Sequence, residues 1–246
     1  MHRLVLVVAV VGAVLLPASA SAQVRRFALE SAQGLRALNV VVEPVTFKGR
    51  RAVRVTEAPA LLQRAAYASG QLDVETLAWI EGLELSDGTI EVELAGVPAP
   101  GASGGARGFV GIAFRLQPDD RPDGFRRYDA FYLRPTNGRA DDQERRNQAT
   151  QYISHPDWPW FRLRRETPSR YESYVDLEPD TWTRMRIEVR GAQARLFVHD
   201  LPQPVLVVND VKTGAGAKGA VALWVGPGTI AHFRNLVVTP AAATAR

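Results

Sequence analysis

Hydrophobic and polar side chains alternate along much of this chain, most regularly between residues 183 and 190. Met185, Ile187 and Val189 occupy every second position there, and charged residues fill the positions between them. A period of two places neighbouring side chains on opposite faces of an extended strand. The pattern therefore predicts a half-buried β-strand.

Gly191 and Ala192 follow this strand and suit the two-residue loop of a type II′ hairpin, which favours glycine at its first position. The turn fixes the register, with apolar pairs on one face and an opposite-charge pair on the other. A slip of one residue would invert both faces. The predicted opposite neighbours are Val189 and Ala194, Ile187 and Leu196, Met185 and Val198, and Glu188 and Arg195.

Short segments of this kind recur along the chain, whereas helical periodicity is confined to a short stretch around 61–68. Many short strands separated by turn-forming residues are typical of an antiparallel sandwich or barrel. The predicted strands are 39–46, 51–56, 76–81, 88–95, 108–116, 127–134, 149–154, 160–166, 171–176, 183–190, 193–199, 204–209, 219–225 and 231–238.

The first 22 residues have the three parts of a cleavable export signal in order: Arg3, an apolar run at 4–16, and the small residues Ala20-Ser21-Ala22. The apolar run is shorter than the about 20 residues that a membrane-spanning helix needs. A buried N-terminal strand or helix is the alternative interpretation. We predict cleavage after Ala22, a secreted or periplasmic location, and no membrane association after cleavage.

The composition narrows the possible classes of function. The chain has no cysteine, which excludes disulfides, thiolate metal sites and a cysteine nucleophile. Its formal net charge is +4, and the acidic residues are interleaved with the basic ones. Nucleic-acid-binding proteins concentrate basic charge on one face, so no nucleic acid partner is expected. No cofactor is predicted; the carboxylates at 119–120 and 141–144 could bind calcium, with a solvated turn as the alternative.

Alternation also assigns polar side chains to shared strand faces. Arg115 follows the small residues Gly111 and Ala113 on one face, and Tyr128, Tyr132 and Arg134 share a face of the next strand. Such a face is either a solvated surface or a ligand-binding trough. Aromatic rings cover the apolar faces of sugars, and charged groups hydrogen-bond their hydroxyls. The trough interpretation therefore predicts a carbohydrate partner.

Glu91 and Glu93 lie two residues apart on the polar face of another predicted strand. Their Cβ atoms are expected to lie about 7 Å apart. Carboxyl groups roughly 5–9 Å apart carry out glycoside hydrolysis, so the pair is a catalytic candidate. A solvated strand face is the alternative, because any surface strand can carry this spacing.

Aromatic and polar residues concentrate at 151–166, where His155, Asp157, Trp158 and Trp160 are interrupted by two prolines. The prolines predict a rigid loop that displays the rings. Trp158 and Trp160 are candidates for sugar binding, and the alternative is that they plug the end of the sandwich. Histidine is a common general base near neutral pH, so His155 is a candidate for that role, and the alternative is that it holds the loop.

Four segments carry a resemblance to a known superfamily. They are DGTIEVEL (87–94), FVGIAFR (109–115), TWTRMRIEVRGAQARLFVHD (181–200) and GAVALWVGPGTIAHFRNLVV (219–238). They resemble the concanavalin A-like lectin/glucanase superfamily, and within it laminin G-like domains and the bacterial 3-keto-disaccharide hydrolase domain family. The resemblance implies an all-β jelly roll, a sandwich of two antiparallel sheets. The superfamily hosts lectins, hydrolases, lyases and adhesion modules on this scaffold.

The chain departs from the catalytic motifs of these relatives. Family 16 glycosidases carry three alternating acids on one strand, whereas residues 91–93 lack the third acid. The keto-disaccharide hydrolase motif Tyr-Glu-x-Gln is matched by Tyr128-Asp129-Ala130-Phe131, which keeps the acid and loses the amide. The resemblance thus implies Asp129 as an acid. Alternation places Asp129 opposite Tyr128, so only a bulge would bring both to one site.

We therefore predict one β-sandwich domain over 23–246, with a core at about 39–238, that hydrolyses or recognises a glycan on its concave face. The alternatives are a non-catalytic carbohydrate-binding module and an adhesion or structural module. The predicted catalytic residues are Glu91, Glu93, Asp129 and His155. The predicted saccharide-binding residues are Arg115, Tyr128, Tyr132, Arg134, Trp158 and Trp160.

Overall fold

The computed structural model of this chain describes residues 23–64, 74–118 and 120–242. The predicted export signal, residues 65–68 of the predicted helix, and Asp119 of one candidate calcium group lie outside the described residues. Within these ranges, no helix has the length and apolar character needed to cross a membrane.

Eight antiparallel strands form one sheet, which we call sheet A. They are β1 (Arg25–Phe27), β3 (Val40–Phe47), β4 (Arg50–Glu57), β6 (Gly88–Pro98), β11 (Thr183–Arg190), β12 (Gln193–Val198), β13 (Leu206–Val208) and β15 (Thr229–Pro240). Their order across the sheet is β13-β12-β11-β6-β15-β4-β3, and β1 pairs with the C-terminal part of β15.

Seven antiparallel strands form the second sheet, sheet B. They are β2 (Leu35–Leu38), β5 (Leu77–Leu85), β7 (Val110–Leu116), β8 (Tyr128–Leu133), β9 (Thr150–His155), β10 (Glu172–Ser173) and β14 (Gly219–Val225). Their order is β10-β9-β8-β7-β14-β5-β2. The helices are α1 (Pro59–Leu62), α2 (Gln143–Asn147) and α3 (Trp160–Glu166), with a 3₁₀ helix at Pro135–Asn137.

The apolar positions of both sheets meet in one core, as the alternation predicted. Ile90, Val92 and Leu94 of β6 and Ile187 of β11 are each at most 4% exposed. Ile112 of β7 is fully buried on the other sheet. Burying these side chains between two antiparallel sheets stabilises the sandwich that the resemblance implied.

The β11–β12 hairpin has the predicted register. Val189 lies opposite Ala194, and Glu188 lies opposite Arg195. The pairs that contain Ile187 and Met185 are also as predicted. Gly191 adopts a φ of +55°, as the first position of a type II′ turn requires. Cross-strand pairing in the sequence was therefore enough to fix this hairpin.

Two predicted strands need correction, and two observed strands were not predicted. Residues 160–166, predicted as a strand, form α3, which begins after Pro159 and carries an Arg162–Glu166 pair one helical turn apart at 3.0 Å. The predicted strand 171–176 is reduced to the two residues of β10. Strands β1 and β2 were missed, because segments of three and four residues are too short for alternation to show.

A bulge in sheet B redirects Arg115. Ala220 of β14 lies opposite Leu116, whereas Ala222 lies opposite Ala113, so one residue of β14 faces two of β7. Arg115 adopts a φ of +54° at this point. A bulge re-aims side chains and ends strict alternation. Arg115 therefore no longer follows Gly111 and Ala113 on one face.

Candidate functional site

The tyrosines predicted to line a trough lie on the outer face of sheet B, the face turned away from sheet A. Tyr128 and Tyr132 are each only 2% exposed. The Tyr132 ring stacks on Trp224 with centroids 4.6 Å apart, and the Tyr128 ring stacks on His155 at 4.9 Å. Because these rings pack on one another, the predicted open trough at Tyr128 and Tyr132 is wrong.

Arg115 is fully buried, so its predicted exposure on a ligand-binding face is also wrong. Its guanidinium donates to the Asp87 carboxylate at 3.0 Å. It also donates to the carbonyl oxygens of Ser86, Gly191 and Gly214 at 2.8 to 3.0 Å. These acceptors lie in the β5–β6 turn, the β11–β12 turn and the loop before β14. Arg115 therefore ties three loops together.

Arg134 directly follows β8, lies on the same outer face of sheet B as Tyr132, and is 5% exposed. Its Nη2 donates to Tyr132 Oη at 2.9 Å and to Gln151 Oε1 at 3.1 Å. Its Nη1 donates to the Gln148 carbonyl at 2.9 Å and lies 3.8 Å from the Glu172 carboxylate. Burial raises the pKa of the Tyr132 phenol, which therefore stays protonated. Arg134 thus links the outer face to β10.

His155 lies on the same outer face, close to Glu75. Its Nδ1 donates to the Arg126 carbonyl at 3.1 Å and lies 3.9 Å from Glu75 Oε1. The other ring nitrogen, Nε2, is buried without a hydrogen-bond partner in the described part of the chain. Burial raises the pKa of Glu75, and His155 and Arg126 oppose that shift. The His155 ring is 8% exposed.

Asp129 lies on the inner face of sheet B, where alternation placed it. It pairs in register with Phe114, accepts a hydrogen bond from Tyr152 Oη at 2.6 Å, and contacts the Thr213 hydroxyl. Burial raises the pKa of this carboxyl, and the adjoining Tyr152 has a pKa well above its ordinary value. The bulge moves Arg115, not Asp129, so Asp129 stays apart from Tyr128.

Glu91 and Glu93 lie on the outer face of sheet A, on the far side of the molecule from Tyr128. They line a cavity of about 260 Å³ with Arg26, Arg184, Arg186, Phe197, Asp200 and Asn235. Glu93 accepts hydrogen bonds from Arg50 at 2.8 Å and Asn235 at 2.7 Å. Glu91 lies opposite Arg186 in the sheet. The two carboxylates therefore share one outer surface with several arginines.

A second cavity of about 350 Å³ lies beside β10, and we call it the edge pocket. Its walls come from α2, α3 and the strand β10, which the β9–β10 pairing brings together. Most of its lining groups are polar side chains that can hydrogen-bond a hydroxyl. They are Glu144, Asn147, Gln148, Arg164, Pro168, Ser169, Glu172, Ser173 and Tyr174.

One exposed aromatic ring lines this pocket, and a second lies against its lining residue Arg164. Tyr174 lines it and is 42% exposed, and Trp160 is 44% exposed. The Arg164 guanidinium lies 4.8 Å from the Trp160 ring centroid and also donates to Glu172 at 2.6 Å. Arg146 donates to Tyr174 Oη at 3.1 Å. Solvent-exposed aromatic rings therefore lie close to charged side chains that are fixed by their ion pairs and hydrogen bonds.

Trp158 occupies a different environment from Trp160. The Arg162 guanidinium lies 3.8 Å from the Trp158 ring centroid, and the Lys212 ammonium lies 4.6 Å from it. Ser154 and Trp158 exchange backbone hydrogen bonds, which closes a tight turn at 155–157. Two cations therefore lie over the Trp158 ring, whereas the Trp160 ring contacts one, Arg164, and is 44% exposed.

The candidate calcium ligands Asp141, Asp142 and Glu144 are exposed at the start of α2, where Asp142 accepts a hydrogen bond from the Arg145 backbone. Among the described residues, no three His, Asp or Glu side chains are grouped to hold a metal ion. Asp142 therefore serves as a helix cap.

The structure distributes the predicted site residues over several regions. Tyr128, Tyr132, Arg134 and His155 share the outer face of sheet B, and Arg134 and Trp160 adjoin the edge pocket. Arg164, Glu172 and Tyr174 were not predicted as site residues from the sequence. Arg164 was missed because residues 160–166 were predicted as a strand, whereas they form the helix that carries this side chain.

Comparisons with known proteins identify the fold. No protein-family model matches the chain, and no curated protein matches it. Among solved structures, the carbohydrate binding module CBM66 from Bacillus subtilis superposes with a TM-score of 0.52 at 12% identity, over 84% of this chain and 96% of that chain. A Bacillus subtilis protein of unknown function with a galectin-like fold gives 0.53 and 12%, over 87% and 94%.

At such identities a likeness shows the fold alone. The two antiparallel sheets, their shared core and these structural neighbours agree with the resemblance found in the sequence. The chain has the two-sheet antiparallel β-sandwich fold that these two solved structures also have.

Proposed function

We propose that this chain is an exported protein that recognises a glycan through the edge pocket. The observation that carries the proposal is the exposed ring of Tyr174 in the lining of a polar cavity of about 350 Å³, with a second exposed ring, Trp160, against the lining residue Arg164. Small-molecule sites have volumes from about 300 to 1,000 Å³. A ligand that packs on these rings removes their apolar area from water, which favours binding.

The chemistry of the pocket suits a sugar. An aromatic ring packs against the C–H face of a pyranose, and a charged pair binds its hydroxyls. Arg164 donates to Glu172 through both Nε and Nη2, which fixes the planes of the two groups. Asn147 and Gln148 add amide groups beside them. The pocket therefore offers donors and acceptors in fixed positions next to two apolar surfaces.

The fold supports glycan recognition in general, but not this particular pocket. CBM66, which shares the fold over most of this chain, is named as a carbohydrate binding module. The support is by analogy, because one fold hosts many functions. The proposed glycan recognition therefore rests on the pocket and not on the fold.

We favour recognition over hydrolysis because the predicted catalytic groups do not converge. Glu91 and Glu93 lie outside sheet A, Asp129 lies in the core, and His155 lies on the outer face of sheet B. Glycoside hydrolysis needs two carboxyl groups on either side of one bond. The edge pocket is lined by two carboxyl groups, Glu144 and Glu172, but Glu172 is bound by Arg164 and approached by Arg134. Hydrolysis remains the alternative.

The test is a screen of neutral and acidic oligosaccharides, followed by calorimetry with the tightest ligand. We expect Trp160→Ala to weaken binding about tenfold, a loss of about 1.4 kcal/mol, because the ring provides stacking area. Leu201→Ala is the matched control, since Leu201 is 41% exposed in the turn after β12, on the other sheet.

Two results would contradict this function. One is unchanged affinity of the Trp160→Ala protein for every ligand, and the other is the absence of binding across the whole panel. Long incubation of the wild-type protein with its ligand should return the ligand intact by mass spectrometry. Shortened products would favour the hydrolase alternative instead.

A further inference from the structure

The charged side chains that line the edge pocket are unequal in number. Glu144 and Glu172 carry negative charges, and Arg164 carries the one positive charge among the described residues of the lining. A ligand in contact with these residues therefore meets one net negative charge. The whole chain has the opposite sign, with a formal net charge of +4. The charge of the pocket is thus a local property that does not follow from the composition.

The negative charge of Glu172 is already balanced inside the protein. Arg164 Nε donates to its two carboxylate oxygens at 3.1 and 3.2 Å, and Arg164 Nη2 donates at 2.6 Å. The Arg134 guanidinium lies 3.8 Å from the same carboxylate, and both of these side chains are at most 7% exposed. Opposite charges at such short distances largely cancel each other's field. Glu172 therefore contributes little unbalanced charge to the pocket.

The carboxylate of Glu144 has no such partner. Glu144 is an exposed residue in the first turn of α2. Within residues 23–64, 74–118 and 120–242, its carboxylate forms neither an ion pair nor a side-chain hydrogen bond. An ionised carboxylate only accepts hydrogen bonds, through about four lone-pair sites. All of these sites are therefore open to water or to a ligand in the pocket.

Two other polar groups of the lining are occupied by neighbouring side chains. Tyr174 Oη accepts a hydrogen bond from Arg146 at 3.1 Å, and Arg146 itself is not part of the lining. Asn147 Oδ1 accepts a hydrogen bond from Gln143 at 2.7 Å. Because Glu172 is also paired, Glu144 is the charged group of the lining that is left to contact a ligand.

We propose that Glu144 makes the edge pocket selective against acidic saccharides, so that its ligand is a neutral sugar or an amino sugar. This inference rests on the proposed glycan recognition and specifies the substrate class of the same pocket. A carboxylate accepts hydrogen bonds from sugar hydroxyls and, more strongly, from an ammonium group. The carboxylate of a uronic acid offers no proton in return, and its charge is repelled.

Two matched pairs of ligands test the effect of charge by calorimetry at pH 6. The β-1,4-linked hexamers of mannose and mannuronate differ only in the group on C5, and those of glucose and glucosamine differ only at C2. We expect wild type to bind the mannose hexamer about fivefold more tightly than the mannuronate hexamer, because an exposed charge acts through screened solvent. The glucosamine hexamer should bind more tightly than the glucose hexamer. The net charge of the whole chain alone would produce the opposite order in both pairs.

Glu144→Gln keeps the size of the side chain and removes its charge. The affinities for the mannose and mannuronate hexamers should then lie within about twofold of each other, and Glu144→Lys should reverse their order. Glu81→Gln is the matched control, because Glu81 is exposed on β5 and lies outside the lining. Thermal melting confirms that each variant folds. The use of two substitutions at Glu144 keeps the test decisive if one of them prevents folding.

The outcomes separate this inference from the function on which it rests. Tighter binding of the mannuronate hexamer by wild type, with Trp160→Ala still weakening both ligands, would overturn the selectivity and keep glycan recognition. Equal changes of preference in Glu144→Gln and Glu81→Gln would reveal an effect of net charge and would also overturn it. So would an unchanged preference in both Glu144 variants. If wild type bound none of the four hexamers, both proposals would be wrong.

Discussion

The imidazole of His232 couples proton binding to folding. Its ring stacks on Phe47 with centroids 3.9 Å apart and meets Trp182 edge-on at 6.5 Å. Burial lowers the pKa of His232 to about 4, and the nearby Asp180 opposes this shift. The folded chain therefore keeps the ring neutral at pH values where an exposed histidine is protonated.

We expect His232→Phe to make the fold less sensitive to acid. Between pH 6.5 and 4, the unfolded chain binds a proton at residue 232 that the folded chain does not, so wild-type stability falls as the pH is lowered. Phenylalanine keeps the stack on Phe47 and binds no proton. From pH 7 to pH 4, the free energy of unfolding should fall by about 2 kcal/mol less in the variant.

Urea unfolding at pH 7, 5.5 and 4 measures this difference. Burial raises the pKa values of Glu57, Glu75 and Asp129, so their protonation opposes the effect of His232 as the pH falls. The difference between the two proteins is therefore the decisive quantity. Parallel pH profiles for wild type and His232→Phe would contradict the assignment.

At the scale of single residues, alternation showed which side chains share a face but not what covers that face. Tyr128, Tyr132 and Arg134 do share the outer face of sheet B, yet rings and loops bury them. Whether a polar face is open depends on distant segments, such as β14 with Trp224. The bulge at Arg115 was also hidden, because the local pattern continues without a break through it.

At the scale of elements, prediction succeeded where neighbouring residues constrain each other. The β11–β12 hairpin was fixed by its own turn and its own cross-strand pairs. Helix α3 was missed because Trp160, Phe161 and Leu163 suit a strand as well as a helix, and the Arg162–Glu166 spacing was not weighed against them. This error also concealed the edge pocket, because Arg164 of α3 forms one of its walls.

Strands β7 and β8 depend on a glycine where they meet. A Cβ built on Gly111 would lie 2.6 Å from Tyr132 Cα and would collide with the Phe131 carbonyl oxygen. Ordinary side chains do not approach backbone so closely, so Gly111→Ala must push the two strands apart. Gly104→Ala is the matched control, because a Cβ there meets nothing within 4 Å.

We expect Gly111→Ala to destabilise the protein by about 3 kcal/mol, as overpacking does. For a chain of this size, that corresponds to a fall in Tm of roughly 6–12 °C. Gly104→Ala should leave Tm within about 2 °C of wild type. Calorimetry of the three proteins measures both effects, and equal Tm values for the two variants would refute the close approach of β7 and β8.

At the scale of the whole molecule, each sheet is assembled from segments that are far apart in the sequence. Sheet A pairs β15 with β6, β4 and β1, and sheet B pairs β14 with β5 and β7. The sequence indicated two antiparallel sheets because its strands alternate, and the resemblance implied their arrangement. The edge pocket could not be predicted in this way, since its position depends on how α2, α3 and β10 pack together.

This interleaving predicts that the two sheets unfold together. Neither sheet is a continuous stretch of chain, and the core side chains of each sheet pack against the other, so losing one sheet exposes the apolar face of its partner. The tryptophans allow a direct test. Trp182 contacts Phe47 and His232 of sheet A, whereas Trp79 and Trp224 belong to sheet B.

The substitution Trp182→Phe removes the tryptophan that lies beside sheet A, so tryptophan fluorescence no longer reports on that sheet. Far-UV circular dichroism still records both sheets. We expect the two signals to give one coincident transition in urea, with the same midpoint and the same slope, because apolar burial between the sheets couples them. The wild-type protein, measured by both probes, is the control for the substitution. A circular dichroism transition that precedes or follows the fluorescence transition would show that sheet A unfolds independently, and the chain would then contain two cooperative units instead of one.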